Sequence, residues 1–316
     1  MNNNFPDPKN LQQSLVSNLG AVADIAGELR SKSSSGQLRF ELGGVKLAGL
    51  DLSGTRVSYS NLKKSDLSGA SLSAARWDGC FFDSANLTKA NLAKGVFTSS
   101  SFVDTGLNES DLSDADLSGA TITNTLLSGC KGDRLNLSKA SLFTSKVAGG
   151  SFRSSTLVGA VARESRFDST DFSGADFSDG IFTNSLFHGV NLSSIKAVGA
   201  NFEKTRFTEV VLAGADLSNA FLGHADLSGA DLSGVNLSNA NLQGCNLAGA
   251  KLDGAQLIGA NLQGADLLGA SLEKTQVAGA NFSGAKLDDS FKLASGLDAV
   301  DQLQAGSSKT LALRLI

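Results

Sequence analysis

Residues Ala215–Gly269 repeat one five-residue phrase with little variation: ADLSN AFLGH ADLSG ADLSG VNLSN ANLQG CNLAG AKLDG AQLIG ANLQG ADLLG. A large apolar residue stands at the third position of each pentad, and a small residue usually stands two positions earlier. A period of five matches neither the repeat of an α-helix nor the alternation of a β-strand. The stretch is therefore an array of short repeats.

The same phase extends far beyond this stretch in both directions. With the large apolar residue taken as position i, it runs from Leu42 to Leu287 without insertion or deletion, which makes 50 consecutive pentads over residues 40–289. A large apolar side chain fills position i in 47 pentads, and the three exceptions are Gly132, Ala162 and Ala197. Such an unbroken array overrides the two globular domains that the chain length alone would favour.

The pattern resembles the pentapeptide-repeat family, whose consensus is roughly A(D/N)LXX. Ala115–Gly119 (ADLSG) and Ala260–Gly264 (ANLQG) match it, and the resemblance covers about four-fifths of the chain. It implies an all-β solenoid, a right-handed quadrilateral β-helix with four pentads per coil. Positions i and i−2 then point inward, and positions i−1, i+1 and i+2 point outward. With four pentads per coil, the 50 pentads predict about twelve coils, stacked about 4.8 Å apart.

The expected coil of four pentads also groups the phenylalanines in the interior. Side chains at the same position of successive coils should stack on one face. We therefore expect three aromatic ladders, formed by Phe167, Phe187 and Phe207, by Phe152 and Phe172, and by Phe182 and Phe202.

The segments outside the array predict end structures. Asn10–Ser31 carries apolar residues at helical spacing, so residues 1–39 are expected to form an N-terminal helical cap, or alternatively a leader segment. Residues 294–305 favour a short helix, and residues 310–316 (TLALRLI) alternate like a strand, which predicts a C-terminal cap over 290–316. Caps would cover the open ends of a solenoid. In some family members the C-terminal segment forms a homodimer interface, so the resemblance implies a homodimer as an alternative.

Composition argues against several classes of protein. The formal net charge of −4 argues against a basic nucleic-acid-binding protein. No apolar run is long enough to predict a membrane span, and residues 1–10 lack the pattern of a secretory signal. Three widely separated cysteines, Cys80, Cys130 and Cys245, predict neither disulfides nor zinc binding, which favours a cytoplasmic location.

No constellation of residues predicts catalysis. The two histidines, His188 and His224, occupy outward positions about two coils apart, and no nucleophile, phosphate-binding or metal-binding motif accompanies them. We therefore expect no enzyme activity, no metal and no cofactor. Function must come from the outer surface.

Two outward columns of residues differ from their surroundings and predict a partner-binding surface. One column is basic in successive coils, and the adjacent one holds apolar residues where polar ones are usual. The candidate residues are Phe143, Lys146, Arg153, Val161, Arg163, Arg166, Ile181, Leu186, Arg206 and Phe221.

The leading interpretation is a non-catalytic scaffold that presents this rigid surface to an unidentified protein partner. The resemblance implies an alternative, since some family members mimic DNA and bind DNA gyrase or topoisomerase IV. The repeats hold 26 acidic and 20 basic side chains, a difference of −6, which is weak for such mimicry. The residues that keep it open are Asp216, Asp226, Asp231, Asp253 and Asp266. A further alternative is a bacterial effector delivered into a host cell, with residues 1–37 as its leader.

Overall fold

The computed structural model describes residues 39–288 together with Ala26, Gly27 and Leu29. The chain divides into two compact units, Met1–Ser145 and Lys146–Ile316. Ala26, Gly27 and Leu29 are helical and fall within the helix predicted over 10–31. Of the predicted N-terminal cap or leader, residues 1–39, only these three residues and Arg39 are among the described residues. The predicted C-terminal cap and dimerisation segment, residues 290–316, lies outside them.

Parallel pairing between segments four pentads apart builds each unit. In the first unit a bridge joins Glu41 to Asn61, and in the second a bridge joins Asp266 to Lys286. The N–H of Leu42 donates to the carbonyl of Asn61 at 2.7 Å, and the same bond recurs at position i along both units. Each unit is therefore a parallel β-solenoid whose coil takes four pentads, which confirms the predicted fold class at this level.

Five segments are long enough to be regular strands among the described residues. The first unit holds β1 (Leu126–Lys131), and the second holds β2 (Lys146–Ser151), β3 (Arg166–Asp171), β4 (Leu186–His188) and β5 (Arg206–Thr208). In the second unit β2, β3, β4 and β5 pair side by side and parallel, each one coil after the last. Most other pairings are single bridges, because a turn interrupts the backbone in each pentad.

This turn explains why glycine is frequent at position i+2. The N–H of Ala85 donates to the carbonyl of Phe82 at 2.8 Å, and Ser84 between them has a φ of 57°. Glycine adopts a positive φ without steric cost, whereas an L side chain is strained there by roughly 1–2 kcal/mol. Even so, many residues other than glycine hold a positive φ at this position in the described part of the chain.

The interior alternates large and small side chains as expected. Leu217 and Ala215, at positions i and i−2 of one pentad, are each 1% exposed. The three predicted phenylalanine ladders of the second unit are confirmed as stacked rings in successive coils. Ring centroids are 4.5 Å apart for Phe167–Phe187 and 5.2 Å apart for Phe187–Phe207, Phe152–Phe172 and Phe182–Phe202.

Some buried hydroxyl groups at position i−2 form a second kind of turn. The Ser185 hydroxyl accepts the N–H of Ser165 at 3.1 Å and donates to the carbonyl of Ala162 at 2.6 Å. It thus bridges two backbone groups that elsewhere bond directly across the turn, and neither is left unsatisfied in the interior. By contrast, the buried hydroxyl of Ser155 has no hydrogen-bond partner.

Candidate partner-binding surface

The basic column lies on the sheet formed by β2–β5. Register pairs Lys146 with Arg166, Arg166 with Leu186 and Leu186 with Arg206, so the four outward side chains follow one another in successive strands. Lys146, Arg166 and Arg206 are exposed, and Leu186 is half-buried between two arginines. Since parallel strands lie about 4.8 Å apart, the backbones that carry Arg166 and Arg206 are separated by about 10 Å.

The cations of this column differ in their pairing. The Nε of Arg166 donates to the Oδ2 of Asp168, and this hydrogen bond raises the pKa of Arg166. Lys146 and Arg206 form no ion pair with any residue of the described range. Two positive charges are therefore available on the outer face of the sheet.

Asp168 is held in an unusual position for a carboxylate. Its side chain is 15% exposed, and its Oδ1 is buried without a hydrogen-bond partner. Register places Ala148 and His188 on its two sides. Ion pairing with Arg166 compensates part of the cost of burying the charge.

The other basic candidates lie on neighbouring faces of the second unit. Arg153 follows β2, and Arg163 precedes β3; both side chains are exposed. They add positive charge near the β2–β5 sheet but belong to different outward columns.

The apolar part of the predicted surface is narrower in the structure than the sequence indicates. Val161 bridges to Ile181, Ile181 to Asn201 and Asn201 to Phe221, so a polar residue interrupts the column. Val161 and Ile181 are half-buried, whereas Phe221 is 47% exposed. Because outward side chains cover one another along a column, the expected patch is reduced in the second unit to one exposed aromatic ring.

Phe143 belongs to the first unit, whereas the other candidates belong to the second. Its ring is 38% exposed. Leu126 and Tyr59, two more exposed apolar side chains of that unit, were not singled out from the sequence. Both interrupt otherwise polar outward positions, which is the signal that could have identified them.

The acidic candidates accept hydrogen bonds within the fold. The Oδ1 of Asp216 accepts the backbone N–H of Ser218 at 3.1 Å and the side-chain amide of Asn236 at 3.0 Å. Asp226 makes the equivalent bonds to Ser228 and Asn246. Asp231 and Asp266 each accept the backbone N–H of the residue two positions ahead. Asp253 accepts the backbone N–H of Glu273 in the following coil.

These bonds explain the aspartate or asparagine of the repeat consensus. A side-chain oxygen at position i−1 accepts the N–H two positions ahead and so caps the turn. An asparagine at the same position one coil later donates its side-chain amide to that oxygen and links the two coils. All five aspartates are half-buried. Each of them therefore serves the fold through at least one hydrogen bond.

Other types of site find no support in the described part of the chain. Residues 39–288 contain no group of three or more potential ligands placed to hold a metal ion. No helix among the described residues combines the length and apolar character needed to cross a membrane. Burial raises the pKa of the Cys80 thiol to about 12, so this cysteine is not a reactive thiolate.

Comparison with known structures finds other repeat proteins. The chain is similar to HetL, a pentapeptide repeat protein involved in heterocyst differentiation regulation in the cyanobacterium Nostoc, with 27% identity over 81% of this chain and 95% of HetL and a TM-score of 0.28. It is similar to a trypsin-treated form of QnrB1, a plasmid-mediated fluoroquinolone resistance protein, with 22% identity over 65% of this chain and 99% of that chain and a TM-score of 0.38. At these TM-scores neither structure carries an argument about function.

The family of this chain is shown by a match to a family model. No curated protein matches this chain. The model for pentapeptide repeats matches in eight copies, which together cover residues 41–102, 110–146 and 151–289. These ranges cover most of the chain and coincide with the parallel solenoid. The chain therefore belongs to the pentapeptide-repeat family.

Proposed function

We propose that this chain is a non-catalytic scaffold that binds a protein partner through the outer face of the β2–β5 sheet. One observation carries the proposal: Lys146 and Arg206 are exposed in one column of that sheet and have no ion-pair partner in the described range. Several charged side chains at turn positions serve the fold itself, as Asp216 does. Unpaired cations on one face of a sheet are suited to a partner with complementary charge.

A charge-reversal experiment tests the proposal. The double variant Lys146→Glu with Arg206→Glu inverts the column, and the matched variant Lys64→Glu with Lys94→Glu makes the same change in charge at exposed positions of the first unit. Affinity purification from the native host should recover a partner with the wild-type chain and with the matched control. The inverted variant should lose it. Equal recovery by both variants, or no specific partner at all, would contradict the proposal.

The topoisomerase alternative has weaker support. Its acidic candidates accept hydrogen bonds from turn N–H groups or from side chains of the next coil. In addition, the Nζ of Lys286 lies 2.8 Å from the Oδ2 of Asp266. DNA mimicry needs carboxylates that are presented at phosphate-like positions. A supercoiling assay with purified gyrase, with and without a quinolone, distinguishes the two functions. Inhibition or protection by this chain would favour the alternative, and no effect in either arm would favour the scaffold.

Finer features of the architecture also belong to the proposal. The four-pentad register and the family favour about twelve right-handed coils over residues 40–289. Residues 1–39 would cap the first coil, and residues 290–316 would cap the last or form a homodimer interface. A cytoplasmic location, as opposed to delivery into a host cell, is the expectation from cysteine usage. Deleting residues 1–37 and measuring whether the repeats still fold separates a cap from a leader.

A further inference from the structure

An exposed aromatic ring in the first unit is covered by a cation of the same chain. The ammonium of Lys63 lies 5.4 Å from the centroid of the Phe81 ring. The same ammonium lies 2.9 Å from the Oδ2 of Asp83. Lys63 and Asp83 occupy one outward position in successive coils, and Phe81 lies beside Asp83 in the second of these coils. The three side chains form a complete aromatic–cation–carboxylate set.

The second unit repeats the aromatic position without the cation. Phe221 stands at the same position of its own coil as Phe81 does, and it is 47% exposed, against 39% for Phe81. Glu203 stands in the preceding coil where Lys63 would be, and Gly223 stands where Asp83 would be. A carboxylate therefore takes the place of the cation.

The geometry keeps this carboxylate next to the segment that carries the ring. A Cβ placed on Gly223 would lie 3.7 Å from the Oε1 of Glu203, so the carboxylate extends over Gly223, two positions after Phe221. Gly223 is buried and Glu203 is half-buried. No hydrogen bond or ion pair satisfies the Glu203 carboxylate within residues 39–288.

Nearby charged groups do not fill the site. Lys204 is adjacent in the chain, but its side chain is exposed and forms no ion pair with Glu203. The imidazole of His224 lies over Gly244 of the following coil, where its Nδ1 would be 2.7 Å from an added Cβ. Arg206 also forms no ion pair among the described residues. The Glu203 carboxylate is therefore open to a cation from outside this part of the chain.

We propose that Phe221 and Glu203 together bind the ammonium group of a lysine side chain from a protein partner. A ring face attracts a cation through its quadrupole, and a carboxylate without a partner attracts it through charge. The chain's own Lys63 shows that an ammonium fits between the ring and a carboxylate carried by Asp83, and the Glu203 carboxylate extends over Gly223, which corresponds to Asp83. The inference rests on the proposed scaffold function, and it names the chemistry of one contact.

A binding experiment on the full chain tests this directly. The probe is Nα-acetyl-lysine methylamide, and its matched control is Nα-acetyl-norleucine methylamide, which keeps the aliphatic chain and lacks the ammonium. Ring resonances of labelled phenylalanine are followed by NMR, with Phe221 assigned from the variant Phe221→Leu. We expect a saturable shift of the Phe221 ring with the lysine probe, and binding of the norleucine probe weaker by about fivefold or more.

Two variants separate the site from a general apolar effect. Glu203→Gln should weaken binding of the lysine probe by about two- to fivefold. Glu203→Lys with Gly223→Asp rebuilds the filled arrangement of the first unit and should abolish probe binding while the chain stays folded. Equal shifts with both probes, or unchanged binding in either variant, would overturn the inference. If it fails while the Lys146 and Arg206 reversal still releases a partner, the scaffold proposal stands without this contact.

Discussion

Two serines at inward i−2 positions of the second unit should respond to the same substitution with opposite sign. Ser185 and Ser155 are 2% and 1% exposed. The Ser185 hydroxyl bridges the N–H of Ser165 and the carbonyl of Ala162, whereas the Ser155 hydroxyl has no partner. Replacement by alanine removes one oxygen atom in each case. The difference between the two variants therefore isolates the hydrogen bonds.

The magnitude follows from the groups that are left behind. Ser185→Ala strands a buried N–H and a buried carbonyl, which costs about 1–3 kcal/mol of unfolding free energy unless the turn closes to join them. Ser155→Ala removes an unsatisfied hydroxyl from the interior and should stabilise the fold by about 1 kcal/mol. Chemical denaturation of both variants, with the midpoint and slope compared against wild type, measures the two changes.

A third variant controls for side-chain volume. Ser185→Thr keeps the hydroxyl, and the inward position one coil later already holds a threonine, Thr205, whose hydroxyl donates to the carbonyl of Phe182 at 2.7 Å. We expect the stability of Ser185→Thr to lie closer to wild type than that of Ser185→Ala. If Ser185→Ala costs no more than Ser155→Ala, the bridging role of these hydroxyls is refuted.

Three further predictions address reactivity, backbone strain and acid stability. Because burial raises the pKa of Cys80 to about 12, the native chain should resist alkylation of this thiol at mildly alkaline pH, and the unfolded chain should react; mass spectrometry of peptides distinguishes the two. Thr144 holds a φ of 54°, so Thr144→Gly should stabilise the first unit by roughly 0.5–1 kcal/mol, while Gly254→Ala, at a φ of 69°, should destabilise the second by about 1 kcal/mol; denaturation curves that show the reverse order would contradict the strain argument. Hydrogen bonds from the hydroxyl and then the N–H of Ser233 lower the pKa of Asp231 from 3.8, so its contribution to stability is complete above that value and is lost as the pH falls through the lowered pKa. Asp231→Asn keeps the accepting oxygen and should flatten the loss of stability in acid, as followed by thermal melts across pH.

The interior of this fold is predictable because its period is local. The pattern within each pentad indicates which residues point inward. With four pentads per coil, inward residues 20 positions apart should stack, so the Phe167–Phe187 stack could be predicted from the sequence alone. The hydroxyl bridges were not predicted. A serine or threonine at position i−2, such as Ser185, indicates that a bridge can form. Whether it forms depends on which backbone groups lie one coil earlier.

The outer surface is less predictable, because exposure depends on neighbours in adjacent coils. Val161, Ile181 and Phe221 are equivalent apolar residues in the sequence, yet the first two are half-buried and Phe221 is exposed. The same holds for Glu203, whose importance comes from its place in the coil before an exposed aromatic ring. Aligning the sequence in rows of one coil reveals such columns, but not the exposure of their members.

The pairing register has a consequence for how such a chain can change its length. Loss or gain of one pentad leaves every inward side chain inward, because the interior depends on position only within the pentad. The same change carries every later outward residue onto the next face, so that Arg206 would no longer follow Leu186 on the β2–β5 sheet. Only the loss or gain of a whole coil preserves both. A change in length by one pentad therefore preserves the interior, whereas the outward columns are preserved only when the length changes by four pentads.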